Sequence, residues 1–154
     1  MNTNQRRLAL GLAVAGALAL LGGCETMHRM TGSDAKAGGG TQQVTLSGRN
    51  EVPPVTTEAS GSGTVTVKAD RSVDVRITVQ GMTPTAAHIH TGAAGANGPV
   101  AVPLTKSGDS AFTAAPGAKF TEAQFESYKA GNTYLNVHSA KHPGGEIRAQ
   151  LKGN

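Results

Sequence analysis

His88 and His90 stand two residues apart in Ala87-His88-Ile89-His90-Thr91, and a third histidine, His138, closes Tyr134-Leu135-Asn136-Val137-His138. Residues at i and i+2 of a strand share one face. If Ile89 points into a core, His88 and His90 both point away from it. The same rule turns Leu135 and Val137 inward and Tyr134, Asn136 and His138 outward. If the two segments are neighbouring strands, three imidazoles converge, and three neutral imidazoles are a ligand set for copper or zinc. His142, in the following loop, is a weaker fourth ligand. Glu146 is placed to accept from a ring and orient it. An alternative use of the same residues is structural: imidazoles bonded to backbone groups of the glycine-rich turn beside them.

That turn is Gly92-Ala93-Ala94-Gly95-Ala96-Asn97-Gly98-Pro99. A phosphate cradle requires a helix N-terminus after the glycines. Here Pro99-Val100-Ala101-Val102-Pro103 is extended, so Gly92, Gly95, Gly98 and Pro99 are expected to serve a tight turn with positive φ at one or more glycines. No serine-histidine-acid set is evident, and Ser139 beside His138 does not make one.

The elements that must position these side chains are strands. Val73, Val75, Ile77 and Val79 alternate with Asp74, Arg76, Thr78 and Gln80, a clear period of two. Val65 and Val67 alternate likewise, and Ala69-Asp70-Arg71-Ser72 suggests a hairpin between the two runs. Further strands are expected from Val44, over 87–91, 100–105, 111–113, 133–138 and 146–151. A single helix is predicted over 122–129, stopping at Gly131. Thr121 and Gln124 make a capping box, and Phe120 and Phe125 a hydrophobic staple. Many short strands with one short helix predict an all-β fold, an antiparallel Greek-key-like sandwich or a partly closed barrel.

Three segments divide the 154 residues. Residues 1–23 carry two arginines, an apolar run from Leu8 to Leu21 and small residues, which reads as a secretory signal peptide. Leu21-Gly22-Gly23-Cys24 resembles a bacterial lipobox, which implies cleavage before Cys24 and acyl chains on it. Glu25 favours the outer membrane, by the same resemblance. Residues 24–40 read as a flexible tether; Met27, His28 and Met30 within it fix no metal geometry. Residues 41–152 form the domain.

Cys24 is the only cysteine. Lipid on its sulfur leaves no disulfide, thiolate metal site or cysteine nucleophile. Arg6 and Arg7 are two of the 14 basic side chains, and removing them lowers the formal charge from +4 to +2. With no basic run and few aromatics to stack bases, nucleic acid is not an expected partner.

The motifs resemble those of the CHRD domain family, first defined in the animal protein chordin. They are His88-Ile89-His90-Thr91-Gly92, Gly98-Pro99-Val100, Asn136-Val137-His138 and Pro143-Gly144-Gly145-Glu146-Ile147-Arg148-Ala149-Gln150. Leu46-Ser47-Gly48 and Asn50-Glu51-Val52-Pro53-Pro54 match the family's opening. In chordin such domains sit in an extracellular protein that binds secreted growth factors, a role that does not transfer to a bacterial lipoprotein. A looser likeness, to copper/zinc superoxide dismutase, lacks the paired cysteines and a bridging histidine. It implies the idea of a mononuclear copper site and not the activity.

The functional expectation is therefore an outer-membrane lipoprotein, facing the periplasm or the surface, with a non-enzymatic binding or scaffolding role toward a protein or envelope polymer. The alternative is copper or zinc binding at His88, His90 and His138, with redox activity as its extension.

Overall fold

The computed structural model describes residues 40–153. The expected signal peptide, Cys24 and the expected tether as far as residue 39 lie outside the described residues. In chain order the elements are β1 (Gly40–Ser47), a 3-10 turn (Gly48–Asn50), β2 (Ser60–Val67), β3 (Val73–Gln80), β4 (Pro84–Thr91), β5 (Val100–Gly108), β6 (Ala111–Ala114), α1 (Glu122–Lys129), β7 (Thr133–Ser139) and β8 (Ile147–Gln150).

Every strand pair is antiparallel, and the sheet closes into a barrel in the order β1-β2-β3-β6-β5-β4-β7-β8. The all-β expectation thus resolves as a closed barrel. The inward residues are those that the alternation selects: Val65, Val67, Val73, Val75, Ile77, Val79, Ile89, Leu135, Val137 and Ile147 are all buried. Each contributes about 1.5–3 kcal/mol by leaving water. The 69–72 link does join β2 to β3, with Arg71 at φ +71° and the Asp70 carboxylate accepting from the Ser72 amide at 3.0 Å.

The helix begins where its signals place it. The Gln124 amide donates to Thr121 Oγ1 at 3.3 Å, and the Thr121 amide donates to Gln124 Oε1 at 2.8 Å. Phe120 and Phe125 gather round Tyr128, with ring centroids 5.9 and 6.2 Å from it, and all three join the core.

One feature departs from simple alternation. All seven residues of β7 are buried. Leu135 and Val137 face the interior, while Tyr134, Asn136 and His138 lie on the outside of the barrel beneath loops. Arg148 Nη2 donates to the Ala93 and Ala96 carbonyls at 3.2 and 2.9 Å. Gln150 Nε2 donates to the Gly92 carbonyl at 3.0 Å, and Asn97 Nδ2 to the Val52 carbonyl at 2.7 Å. Period two gives the face of a residue; it carries no information on whether a loop folds over that face.

Candidate metal centre

The register of β4 against β7 builds the cluster. His90 lies opposite Tyr134, His88 opposite Asn136, and Ala86 opposite His138. His88 is therefore the diagonal neighbour of His138 on one face, within reach of long side chains. Beside the histidines, β5 carries an extra residue: Ile89 pairs with Val102 and His90 with Val100, which leaves Ala101 as a bulge. Bulges of this kind often sit next to functional side chains.

His88, His90 and His138 each offer a ring nitrogen, and the three atoms all lie within 4.8 Å of one another. The Nδ1 of His88 is 2.9 Å from Nε2 of His138. His90 and His138 are buried and His88 is half-buried.

Two backbone carbonyls fix two tautomers. His138 Nδ1 donates to the Pro143 carbonyl at 2.9 Å, and His90 Nδ1 donates to the Gly98 carbonyl at 2.9 Å. In each neutral ring the lone pair is then on Nε2. His138 Nε2 faces His88, whereas His90 Nε2 is buried with no hydrogen-bond partner among the described residues. An orphaned buried acceptor is costly, and a cation among the three rings would satisfy it.

Burial disfavours the charged form of two of the rings, His88 and His138. Burial pulls the His88 pKa below its ordinary 6.5, and the neighbouring His138 and His90 pull it further. Burial also lowers that of His138, partly opposed by the Pro143 carbonyl, with His90 adding to the fall. Neutral imidazole is the ligating form.

The remaining predicted residues fall elsewhere. His142 is not in the group of three. It stays in the loop, its amide donating to Ser139 Oγ at 3.1 Å. Glu146 orients no ring: its carboxylate accepts from the hydroxyls of Ser139 at 2.5 Å and Thr57 at 2.7 Å. Burial raises its pKa, but these two bonds, with His142 and Lys141, outweigh burial and the net direction is down. The ring-orienting acceptors expected at Glu146 are instead the carbonyls of Gly98 and Pro143. Their identity was hidden because every residue has a carbonyl, and sequence does not say which one faces a ring.

Gly92, Gly95 and Gly98 serve the turn in different ways. Only Gly95 has a positive φ, +78°. A Cβ on Gly98 would lie 1.7 Å from the Thr91 carbonyl oxygen, and one on Gly92 2.9 Å from the Tyr134 ring. Pro99 closes the turn, its carbonyl accepting from the Thr91 amide at 3.0 Å.

A second set of residues was not anticipated. Arg148 is almost wholly buried and lies over Tyr134, Cζ 3.4 Å from the ring centroid. Buried Glu51 faces this group. Burial raises its pKa, and Arg148, Asn136 and the Val52 backbone draw it partly back. The available signal was a cation, an amide and a phenol on strand faces beside the histidines.

A closed eight-stranded antiparallel barrel, with its chemistry-bearing side chains on an outer face under loops, defines the class of this domain. The chain belongs to the CHRD domain family, whose model matches residues 42–151. Neither a curated protein nor a solved structure matches it.

Proposed function

We propose that this chain is a cell-envelope lipoprotein whose CHRD domain binds a copper or zinc ion through His88, His90 and His138, in a non-enzymatic role of metal holding or delivery. The observation that carries the reading is the buried, unpartnered Nε2 of His90, set among two other imidazoles whose nitrogens lie within 4.8 Å. Bonds of about 2.0–2.1 Å to a tetrahedral ion separate ligand nitrogens by about 3.4 Å, so small ring movements gather the three. For His88 to ligate through Nδ1, its proton must sit on Nε2, and the hydrogen bond to His138 gives way to the ion. Among the described residues no carboxylate joins the three, and a set of imidazoles suits copper and zinc over magnesium or calcium.

Envelope anchoring rests on the lipobox at Leu21–Cys24 and on Glu25. Acyl chains would hold the domain at a membrane surface, outer membrane by the sorting resemblance. Cys24→Ser is expected to abolish lipidation and leave an uncleaved precursor. Normal processing of that variant removes the anchor from the reading.

The metal test uses the untagged full-length chain in detergent, titrated with Cu(II) and Zn(II). One equivalent is expected to bind, with binding lost in His88→Ala and His138→Ala and kept in His142→Ala. Absence of binding, with both cluster variants less stable, makes the histidines struts for the glycine turn.

A further inference from the structure

The barrel has one weak seam. β1 and β2 pair over eight residues, but β1 and β8 pair only at Ser47 and Arg148. Farther along, a side chain takes over from the backbone. Gln42 Oε1 accepts from the Lys152 amide at 2.9 Å, and Gln42 Nε2 donates to the Lys152 carbonyl at 3.0 Å. Between these two fastenings the strands part, and a groove of about 690 Å³ opens along Gln43–Thr45 and Ala149–Gln150. The β1 edge from Gln43 to Leu46 therefore has no β8 partner. An unpaired edge is a template for another strand.

The charge of the groove is one-sided. Arg49 borders it near the Ser47 end and Lys152 at the Gln42 end, and both are exposed. Neither takes part in an ion pair among the described residues. Among the described residues the groove's only carboxyl group, Glu51, is buried. At about 3.4 Å per residue, Gln42 to Ser47 spans roughly 17 Å, the length of a five-residue strand.

We propose that this seam receives an extended acidic peptide from a partner protein, added as a strand to the free edge of β1, with carboxylates at its two ends meeting Arg49 and Lys152. Strand addition gives affinity through the main chain, and the two cations select the sequence. The proposal is independent of the metal reading, since no histidine lines the groove.

The test is fluorescence anisotropy of the full-length chain in detergent with a labelled, end-capped pentapeptide, Asp-Val-Thr-Val-Asp. Saturable binding that weakens with salt is expected. Arg49→Ala and Lys152→Ala are each expected to weaken it about threefold to fivefold, and the double variant about tenfold. Both side chains are exposed, and an unchanged melting temperature shows that the variants fold. A peptide with its central amides N-methylated is expected not to bind, while His88→Ala binds like the wild type. Lack of saturation at millimolar peptide, indifference to both substitutions, or equal binding of the N-methylated peptide overturns the proposal. So does binding of an acidic oligosaccharide at the same two cations in place of the peptide.

Discussion

The imidazole of His90 lies parallel to the ring of Tyr134, with centroids 4.8 Å apart and planes 4° from parallel. Arg148 approaches that ring from β8, the strand on the other side of β7. The three side chains form a stack across three strands. Tyr134 also accepts from the Gly98 amide at 3.2 Å, and the Gly98 carbonyl holds His90. The phenol thus positions His90 from the ring face and through the turn. Tyr134→Leu is expected to weaken copper or zinc binding about tenfold, the worth of a good aromatic pair. Tyr134→Phe keeps the stack and is expected to stay within about threefold. Competition against a chelator of known affinity measures both. Equal losses would place the effect in the hydroxyl.

Two glycines of one turn predict different outcomes. Gly98→Ala drives a Cβ into the Thr91 carbonyl, 1.7 Å away, and displaces the acceptor of His90. A loss of about 3 kcal/mol is expected, at the upper end for overpacking, together with weaker metal binding. Gly95→Ala meets nothing within 4 Å but keeps φ at +78°, which costs an L-residue about 1–2 kcal/mol. Its metal affinity is expected to match the wild type. Denaturant melts and metal titrations of the pair separate a strained turn from a displaced ligand holder.

The metal-free protein is expected to lose stability below neutral pH. His88 and His138 have folded pKa values below 6.5, whereas unfolded imidazoles titrate near 6.5. Above that value both states are neutral and the contribution is fully present. As pH falls through 6.5 toward the folded values, the unfolded chain takes up protons first and stability is lost. Thermal melts between pH 8 and pH 5 should show a plateau and then a fall. The double variant His88→Gln, His138→Gln should flatten that fall. A fall of unchanged size in the double variant would assign it to other groups.

Much of the barrel was legible because its strands obey a simple period. Val73, Val75, Ile77 and Val79 announce their face, and Thr121 with Gln124 announces the helix. The same period placed three histidines on one face, and adjacency of β4 and β7 was the only missing premise. What stayed hidden depends on loops. Tyr134, Asn136, Arg148 and Gln150 alternate as a solvent-facing set does, yet the 92–99 turn folds over Tyr134, Arg148 and Gln150, and Asn136 lies beneath the loop at Gly144 and Gly145. Their hydrogen bonds run largely to backbone carbonyls, whose positions no side-chain pattern encodes. Closure was hidden for a related reason: one Ser47–Arg148 pair and a glutamine side chain complete the barrel, and neither leaves a signature in hydrophobic spacing.

The helix supplies a prediction that separates stability from the site. Phe125 is buried against Tyr128, and its ring carries the Lys129 ammonium 5.3 Å from the centroid. Phe125→Ala removes a ring from the core and leaves a cavity beside Tyr128, for an expected loss of about 3–5 kcal/mol. Thr121→Ala removes only the cap, for about 1 kcal/mol. No residue of α1 belongs to the histidine cluster, so metal affinity in the folded fraction should be unchanged in both variants. Urea unfolding followed by circular dichroism gives the stabilities, and a titration well below the transition gives the affinity. A Phe125→Ala protein with wild-type stability would make the helix an appendage of the barrel. Weakened metal binding at full folding would instead show that the helix holds β4 and β7 in the register that brings the three imidazoles together.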